Sequence, residues 1–456
     1  MKHILIIGHG IAGRSLGKSL KAEGKQHVVG YLDDVETGGE ILGTLKDVNH
    51  IIKEHKVTDI YFAIPSASAG LVRDFVNSLD NDDVQLSIIP RSFHTISKKG
   101  VSINDLTDVD ILSLVGRAPV KHDLFESKQF IKGKTIVVTG AAGSIGSKLV
   151  KLLLEMEPEL IVCVDWWENG TFFLQQELGT EKLVYRIADI KNTENINRIF
   201  SEFKPEIVFH AAAYKHVPLM QSNPIEAFNN NVWGSLNLMR QAINHKVDNF
   251  VYVSTDKAVN PVNVMGTSKR LGEMIMESMA AMQSDTKFNA VRFGNVIQSN
   301  GSVMQIFKHQ IDKGQSLTVT HREVTRFFMT IEEAAQLIIQ SALLGRSGEI
   351  FVLDMGEPVK IIDLAESLRN LIDRNMEIDI IGLRPGEKMY EELSYDPSSV
   401  DKTRNEKVFI VKDELPFDHG AFVDEIDELI GHSIKYDLTS EEMIVKLKSL
   451  GFKIKD

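Results

Sequence analysis

The sequence predicts an α/β protein made of two Rossmann-like, doubly wound parallel-sheet domains, the second with a smaller helical substrate-binding cap. Three observations predict this. A β-branched run followed by glycines and an amphipathic stretch occurs twice, at HILIIGHGIAGRSLGKSLKAEG and at KTIVVTGAAGSIGSKLVKLLLEM. After each, short apolar runs that end in turn or capping residues alternate with helical patterns. At 456 residues, the chain is also too long for one ordinary core at roughly 150 residues per domain.

The first cycle continues with HVVGYLDD, VTDIYFAIPS and VQLSIIPRS, so residues 1–120 are expected to form an N-terminal Rossmann-like domain. The polar stretch GRAPVKHDLFESKQFIKGK holds no clear strand and places a linker at 121–133. From Thr135 the strand candidates are TIVVTG, LIVCVD, LVYRIAD, EIVFHAA, NFVYVST, FNAVRFGN and EIFVLD, the series of a larger parallel sheet within 134–456. Turn-rich helical segments at about 296–345 and 356–456 would sit beyond the carboxyl ends of those strands as the cap. Asn223–Lys246 reads as one long helix with an apolar side, either a dimer face or internal packing. The tail from Glu414 is acidic and then helical.

Composition narrows the partners. A hydrophobic fraction of 43% with 25% charged residues is that of a soluble globular chain. The 51 Lys+Arg against 63 Asp+Glu give a net charge of -12, and no basic run offsets it, so no nucleic acid is expected. Cys163 is the single cysteine, which excludes an intramolecular disulfide and a CxxC pair and suits a reducing compartment. The N-terminal apolar run is too short for a signal peptide, and no window approaches the ~20 apolar residues of a membrane span, so a soluble cytoplasmic protein is expected. The 14 histidines lack HExxH or paired spacing, and no metal is expected.

The strongest chemical signal is Thr139-Gly140-Ala141-Ala142-Gly143-Ser144-Ile145-Gly146. The glycines allow a tight turn and a close backbone approach to a pyrophosphate, and the helix N-terminus at Ser144 and Ile145 supplies N–H donors. Alone, such a pattern can be a mere strand-to-helix turn. Asp165, 19 residues after Gly146, ends the next strand, where its carboxylate can accept both ribose hydroxyls and repel an added phosphate, which favours NAD over NADP. Asp189 could contact adenine or be an exposed strand-end carboxylate. Ile190, Ala211 and Ala212 complete the expected cofactor contacts, and Trp166-Trp167 either wall the adenine pocket or pack. Gly8-His9-Gly10-Ile11-Ala12-Gly13, with Asp33 ending the next strand, repeats the pattern but has no proton-transfer group at a strand end beside it. A nucleotide and a ligand-free scaffold both remain open there.

After NFVYVS come Thr255-Asp256-Lys257, and Met265 begins a helical stretch that carries Lys269 at i,i+4, on one face. This arrangement resembles the extended short-chain dehydrogenase/reductase superfamily, in which a Tyr-x-x-x-Lys helix follows a strand ending in Ser or Thr. Here Met265 replaces the tyrosine, and a thioether carries no titratable proton. HAAAYKHVPLMQSNPIEAFNNNV, STDKAVNPVNVMGTSKR, VRFGNVIQSNGSVMQIFKHQI, VTRFFMTIEEAAQLI and LRPGEKMYEEL extend the likeness from about Lys134 to Leu393. On these segments the chain resembles the nucleotide-sugar 4,6-dehydratases of polysaccharide and protein glycosylation, of the PglF, WbpM and CapD type, in a form without transmembrane helices.

The resemblance implies an NAD-dependent hydro-lyase acting on UDP-N-acetylglucosamine or a close UDP-N-acetylhexosamine, and a homo-oligomer, dimer or larger. C4 is oxidised, water leaves across C5–C6, and the hydride returns to C6. It implies Asp256 as the acid at the C6 hydroxyl, Lys257 as the C5 base, Thr255 at the C4 hydroxyl and Lys269 at the nicotinamide ribose. Burial or nearby positive charge is expected to lower the Lys257 pKa for that role. With Met265 inert, the C4 hydroxyl proton is expected to leave through Asp256 or a water. Arg384 is the expected diphosphate or uridine anchor, its alternative being an Arg-Glu pair closing the Pro-Gly turn. Lys215, Asn295, Lys308, Arg326 and Glu387 are carried over as substrate contacts. A UDP-sugar epimerase and a non-catalytic nucleotide-binding scaffold are the competing functions.

Overall fold

The structure, a computed structural model, describes residues 2–22, 26–64, 67, 71, 74–76, 78–80, 84–88, 124–282, 285–297, 299–353, 355–372, 375–394, 400–405, 408–411 and 417–455. The chain divides into two compact units: Met1–Pro119 with Ile306–Arg322 and Val359–Ile381, and Val120–Gln305 with Glu323–Pro358 and Gly382–Asp456. The expected cap range is thereby divided between them. The expected linker lies outside the described residues up to 123, and beyond that its Phe125–Ile131 stretch is helical.

In the first unit, β1 (Lys2–Ile7), β2 (Gln26–Leu32), β3 (Ile41–Gly43), β4 (Asp59–Phe62) and β5 (Gln85–Ile88) form one parallel sheet in the order β3-β2-β1-β4-β5. Alternation along β1 sends Ile4 and Ile6 to one face, against Leu16 and Leu20 of the helix Ile11–Ala22. Leu5 and Ile7 face the other side, against Val48, Ile51 and Ile52 of the helix Val48–His55.

The second unit repeats that order on a larger scale. Its parallel strands are β6 (Thr135–Thr139), β7 (Leu160–Asp165), β8 (Leu183–Ile187), β9 (Ile207–His210), β10 (Asn249–Val253), β11 (Lys287–Arg292) and Glu349–Leu353, with Val408–Val411 and Val400–Lys402 added antiparallel at one edge. The order from the other edge is β8-β7-β6-β9-β10-β11, so the chain reverses direction between β6 and β9, and the carboxyl ends of those two strands open a crevice. Near-continuous apolar strands such as LIVCVD are buried on both faces; burial pushes the Cys163 thiol up to about 12.

Asn223–Lys246 is not one uniform α-helix. Pro224–Phe228 is α-helical, Asn229–Trp233 is a π-helical turn and Gly234–Asn244 is α-helical again. The wider turn frees asparagine side chains for work outside the helix: Ser433 Oγ donates to Asn229 Oδ1 at 2.6 Å, and the Asn231 amide bonds both backbone groups of Tyr214 at 2.8 and 2.9 Å. The helices Val264–Met282 and His419–Ile434 share its apolar cluster, and Arg240 grips Asp427 through two bonds of 2.9 and 2.5 Å. That face is therefore buried within the subunit. Among the described residues no helix is long and apolar enough to cross a membrane.

Candidate active site

The glycine turn builds the first wall. Gly140 has φ +67°, and a Cβ there would lie 2.7 Å from the Ala212 amide nitrogen, so only glycine lets the β6 end pass the β9 loop. A Cβ on Gly146 would overlap the Gly140 carbonyl oxygen, which is how closely the helix Ser144–Glu155 is drawn onto the strand. Gly143 caps that helix, and Ser144 Oγ accepts the Asn300 N–H at 3.0 Å. Asp165 is buried at the end of β7, with its two carboxylate oxygens held by the Ala142 and Trp167 N–H groups, both at 2.9 Å. Each oxygen keeps lone-pair capacity for a further donor.

This turn borders a cavity of about 730 Å³ at the crevice. Ile145 and Ile190 line it, as do Ala211 and Ala212, and Trp166 and Trp167 border it while remaining 61% and 44% exposed. Asp189 is not among the lining residues; it is exposed and pairs with Lys191 at 3.1 Å. Backbone approach without side chains, a helix N-terminus and a strand-end carboxylate together fit the pyrophosphate and ribose of a dinucleotide.

Ionisable groups line the same cavity, Lys215, Lys257 and Lys269 among them, and buried carboxylates stand behind them. Glu273 is fully buried and fixes the end of β10: it accepts Ser254 Oγ at 2.6 Å and is clasped by Arg292 at 2.8 and 2.7 Å and by Arg270 at 3.1 Å. Thr255 Oγ1 donates to Asp256 Oδ1 at 2.8 Å, and Lys257 Nζ donates to the same oxygen at 2.9 Å and to Asn295 Oδ1 at 3.0 Å. Asp256 is wholly buried, and its Oδ2 has no hydrogen-bond partner. Thr255, Lys257 and Asn295 line the cavity. The lowered pKa expected for Lys257 is not found: burial favours its neutral amine, but the Asp256 and Glu391 carboxylates outweigh that and raise the value.

Met265 and Lys269 lie one turn apart on the helix Val264–Met282 and both line the cavity. Asn263 sets the start of that helix, accepting the Gly266 N–H at 2.7 Å. Met265 is at once core and wall, being 3% exposed within the apolar cluster. The Lys269 ammonium stands 3.9 Å from the centre of the Tyr252 ring, and burial, opposed by Glu273, lowers its pKa to about 7. On the β9 side, the loop held by Asn231 carries Lys215, whose Nζ donates to Ser299 Oγ at 3.3 Å; loss of water and then the Lys257 charge lower its pKa.

The remaining expected contacts lie elsewhere. Arg326 is buried and engages the 387–391 loop, bonding Glu387 Oε1 at 3.1 Å and the Lys388 and Met389 carbonyls. Glu387 also accepts the Arg384 backbone N–H at 3.2 Å, closing the Pro-Gly turn, while Arg384 itself is exposed. Asn263 Nδ2 bonds the Gly386 carbonyl at 2.9 Å and Lys388 Nζ the Val259 carbonyl at 2.8 Å, which docks this loop beside the Asp256–Ala258 turn. Lys308 is exposed on the helix Val303–Asp312 and belongs to the first unit. Sequence reasoning passed over Glu273, Asn231 and Glu391. Glu273 had a signal, since it lies at i+4 from Lys269 on the same helix face; Glu391 had none beyond its place in LRPGEKMYEEL.

Residues 136–413 match the family described as polysaccharide biosynthesis protein. The capsular polysaccharide biosynthesis protein CapD of Staphylococcus aureus is 42% identical over 362 residues, 78% of this chain and 60% of CapD, so the chain spans three-fifths of that relative's length. The probable polysaccharide biosynthesis protein EpsC of Bacillus subtilis is 40% identical over 85% of this chain and 68% of its own. A UDP-glucose 4-epimerase of Rickettsia conorii is 37% identical over 57% of this chain and 77% of its own. Among solved structures, Pen from Bacillus thuringiensis matches with a TM-score of 0.59 and 34% identity, covering 62% of this chain and 90% of Pen. The Thermus thermophilus UDP-glucose 4-epimerase, solved in complex with NAD, shares the fold with a TM-score of 0.51 and 22% identity over 57% of this chain and 90% of its own. With the doubly wound sheet, the glycine turn and the strand-end Thr-Asp-Lys beside a Met-x-x-x-Lys helix, these matches make the chain a member of the polysaccharide biosynthesis protein family, on the extended short-chain dehydrogenase/reductase fold.

Proposed function

We propose that the chain is an NAD-dependent UDP-N-acetylglucosamine 4,6-dehydratase, forming a UDP-4-keto-6-deoxy-N-acetylhexosamine. The observation that carries this reading is the chain of bonds from Thr255 Oγ1 to buried Asp256 to Lys257 Nζ, which couples a carboxylate and an amine beside the cavity that Thr255, Lys257 and Lys269 line. When bound, NAD supplies the hydride acceptor for C4 and the hydride donor for C6. Asp165 receives the ribose hydroxyls, and Lys269 holds the nicotinamide ribose. Thr255 Oγ1 takes the C4 hydroxyl proton and passes its own to the Asp256 carboxylate along the 2.8 Å bond, so no tyrosine is needed at position 265. Lys257 removes the C5 proton, Asp256 returns its proton to the departing C6 oxygen as water leaves, and Lys257 gives its proton back to C5. Proton gain at Asp256 also weakens the pull that raises the Lys257 pKa, so the Lys257 ammonium loses its proton to solvent and the neutral amine is free for that step.

The exposed Arg384 guanidinium suits the diphosphate, and Lys215 and Asn295 suit the sugar. A homo-oligomer belongs to the same reading. A second reading, a UDP-sugar epimerase, is favoured by the Rickettsia relative. Mass spectrometry of purified protein incubated with UDP-N-acetylglucosamine separates them: a product lighter by one water supports the dehydratase, an isomer of unchanged mass supports the epimerase, and no conversion supports the scaffold. Asp256→Asn should lower turnover by roughly 10²- to 10⁴-fold while cofactor binding persists; water loss at the normal rate would refute the role given to Asp256.

A further inference from the structure

Glu391 is placed against Lys257 and, like the wholly buried Asp256, is not among the residues that line the cavity. Its carboxylate Oε1 lies 3.8 Å from Lys257 Nζ and 3.9 Å from Arg326 Nε, its side chain is 3% exposed, and its Oε2 is buried with no hydrogen-bond partner. Asp256 and Asn295 already take the two short bonds of Lys257, so the contact with Glu391 is one of charge and not of donor and acceptor. We propose that Glu391 is a positioning residue that sets the protonation state of Lys257 as a buried counter-charge behind the site, leaving Asp256 to exchange protons with the substrate. The proposal rests on the dehydratase reading for its kinetic consequence, but the charge coupling itself does not.

The chemistry follows from where the charges stand. If Asp256 gains and loses a proton in each turnover, it cannot by itself keep Lys257 in one state. A second carboxylate that stays out of the proton traffic supplies a constant bias. Facing this pair are Arg326 from the short strand Thr325–Arg326, Lys388 from the same loop as Glu391, and Lys215, which faces Lys257 from the β9 loop. Burial raises the Glu391 pKa, Asp256 adds to the rise, and Lys257, Arg326 and Lys388 oppose it. Each of Glu391 and Lys257 therefore depends on the other's charge.

The test uses Glu391→Gln, which keeps shape and removes charge, and Glu391→Asp, which keeps charge and draws it back. In the full chain with NAD, the pH profile of kcat/KM rises through the pKa of Lys257 as its base form appears. An opposite charge at this range moves a pKa by about 1–3 units, so Glu391→Gln should shift that rise to lower pH by one unit or more, with Glu391→Asp between it and wild type. Titration of ¹⁵N-lysine-labelled protein by NMR reads the Lys257 pKa without turnover and should show the same ordering. An unchanged profile and an unchanged Lys257 titration in folded Glu391→Gln would overturn the proposal, as would a uniform loss of rate at every pH. If Glu391→Gln does not fold, an unshifted Lys257 titration in Glu391→Asp overturns it instead. A wild-type protein that releases no keto sugar while Glu391→Gln still lowers the Lys257 pKa would sink the dehydratase reading and sustain the coupling.

Discussion

The two glycine turns of this chain share nearly everything that a motif can specify, and they differ in what stands over them. Both follow the first strand of a unit whose strands run 3-2-1-4-5, which is the whole sheet in the first unit and part of a nine-stranded sheet in the second. Both open on a glycine at positive φ, +96° at Gly8 and +67° at Gly140, and both need a glycine where Gly13 and Gly146 press on the first glycine's carbonyl oxygen. Both end the next strand on an aspartate clasped by backbone N–H groups: Asp165 by two, and Asp33 by His9 at 2.7 Å, Val35 at 2.8 Å and Glu36 at 2.9 Å. Burial would raise the Asp33 carboxyl, but those three donors hold it below its usual range.

In the second turn the residues after Gly140 are two alanines, and a cavity lies beyond them. In the first, His9 takes that place: its Nδ1 lies 2.6 Å from Glu36, its ring packs edge-on against Tyr31 at 4.8 Å, and Arg14 reaches the same Glu36 carboxylate at 3.2 Å. Glycine spacing thus reports the steric demands of a strand-to-helix turn, while the residues between the glycines are left to differ.

The comparison breaks most sharply at the third glycine. Gly146→Val should drive a side chain into the Gly140 carbonyl and abolish NAD binding, a loss of roughly 100-fold or more in a fluorescence titration. Gly13→Val makes the same clash in the first unit and should destabilise the chain by more than ~2 kcal/mol, yet keep one NAD per chain in equilibrium dialysis. Equal loss of NAD from both variants would dissolve the distinction.

A smaller effect separates the units by pH. The folded Lys269 pKa near 7 lies below its ordinary 10.5, so between those values the unfolded chain binds a proton that the native one does not, and stability contributed at this site rises with pH across that window. Lys269→Met should flatten this rise in thermal midpoint against pH, and an unchanged slope would show that Lys269 is not held in its low-pKa state. The smallest effect is expected at the first turn's surface: Glu36→Gln should release His9 and Arg14 while leaving NAD stoichiometry and turnover unchanged. A second NAD bound per chain in that variant would mean the first turn is a site closed by its own side chains.

Much of this was legible in advance for a local reason. Apolar runs such as TIVVT and LIVCVD can be buried only in a doubly covered parallel strand, the turn glycines answer to contacts within their own β-α unit, and Asp165 reaches its partners two and twenty-three residues away at a strand end fixed by register. The i,i+4 spacing of Met265 and Lys269 needed only the helix that carries them. Asn223–Lys246 was harder, because the π turn at Asn229–Trp233 exists to satisfy Ser433 and the Tyr214 backbone, which lie outside the segment itself.

The sequence by itself determined the doubled β-turn-α units, the strand-end Thr255-Asp256-Lys257 and the substitution of methionine for tyrosine, since each depends on neighbours within a few residues or one helical turn. Only the tertiary structure decided that Arg326 is held by the Glu387 loop, that Glu391 closes on Lys257 and that the His9 ring of the first turn is held by Glu36 and Tyr31. Those outcomes turn on burial and on charges brought together from distant parts of the chain. Burial and distant charge set a pKa, and no local spacing encodes either.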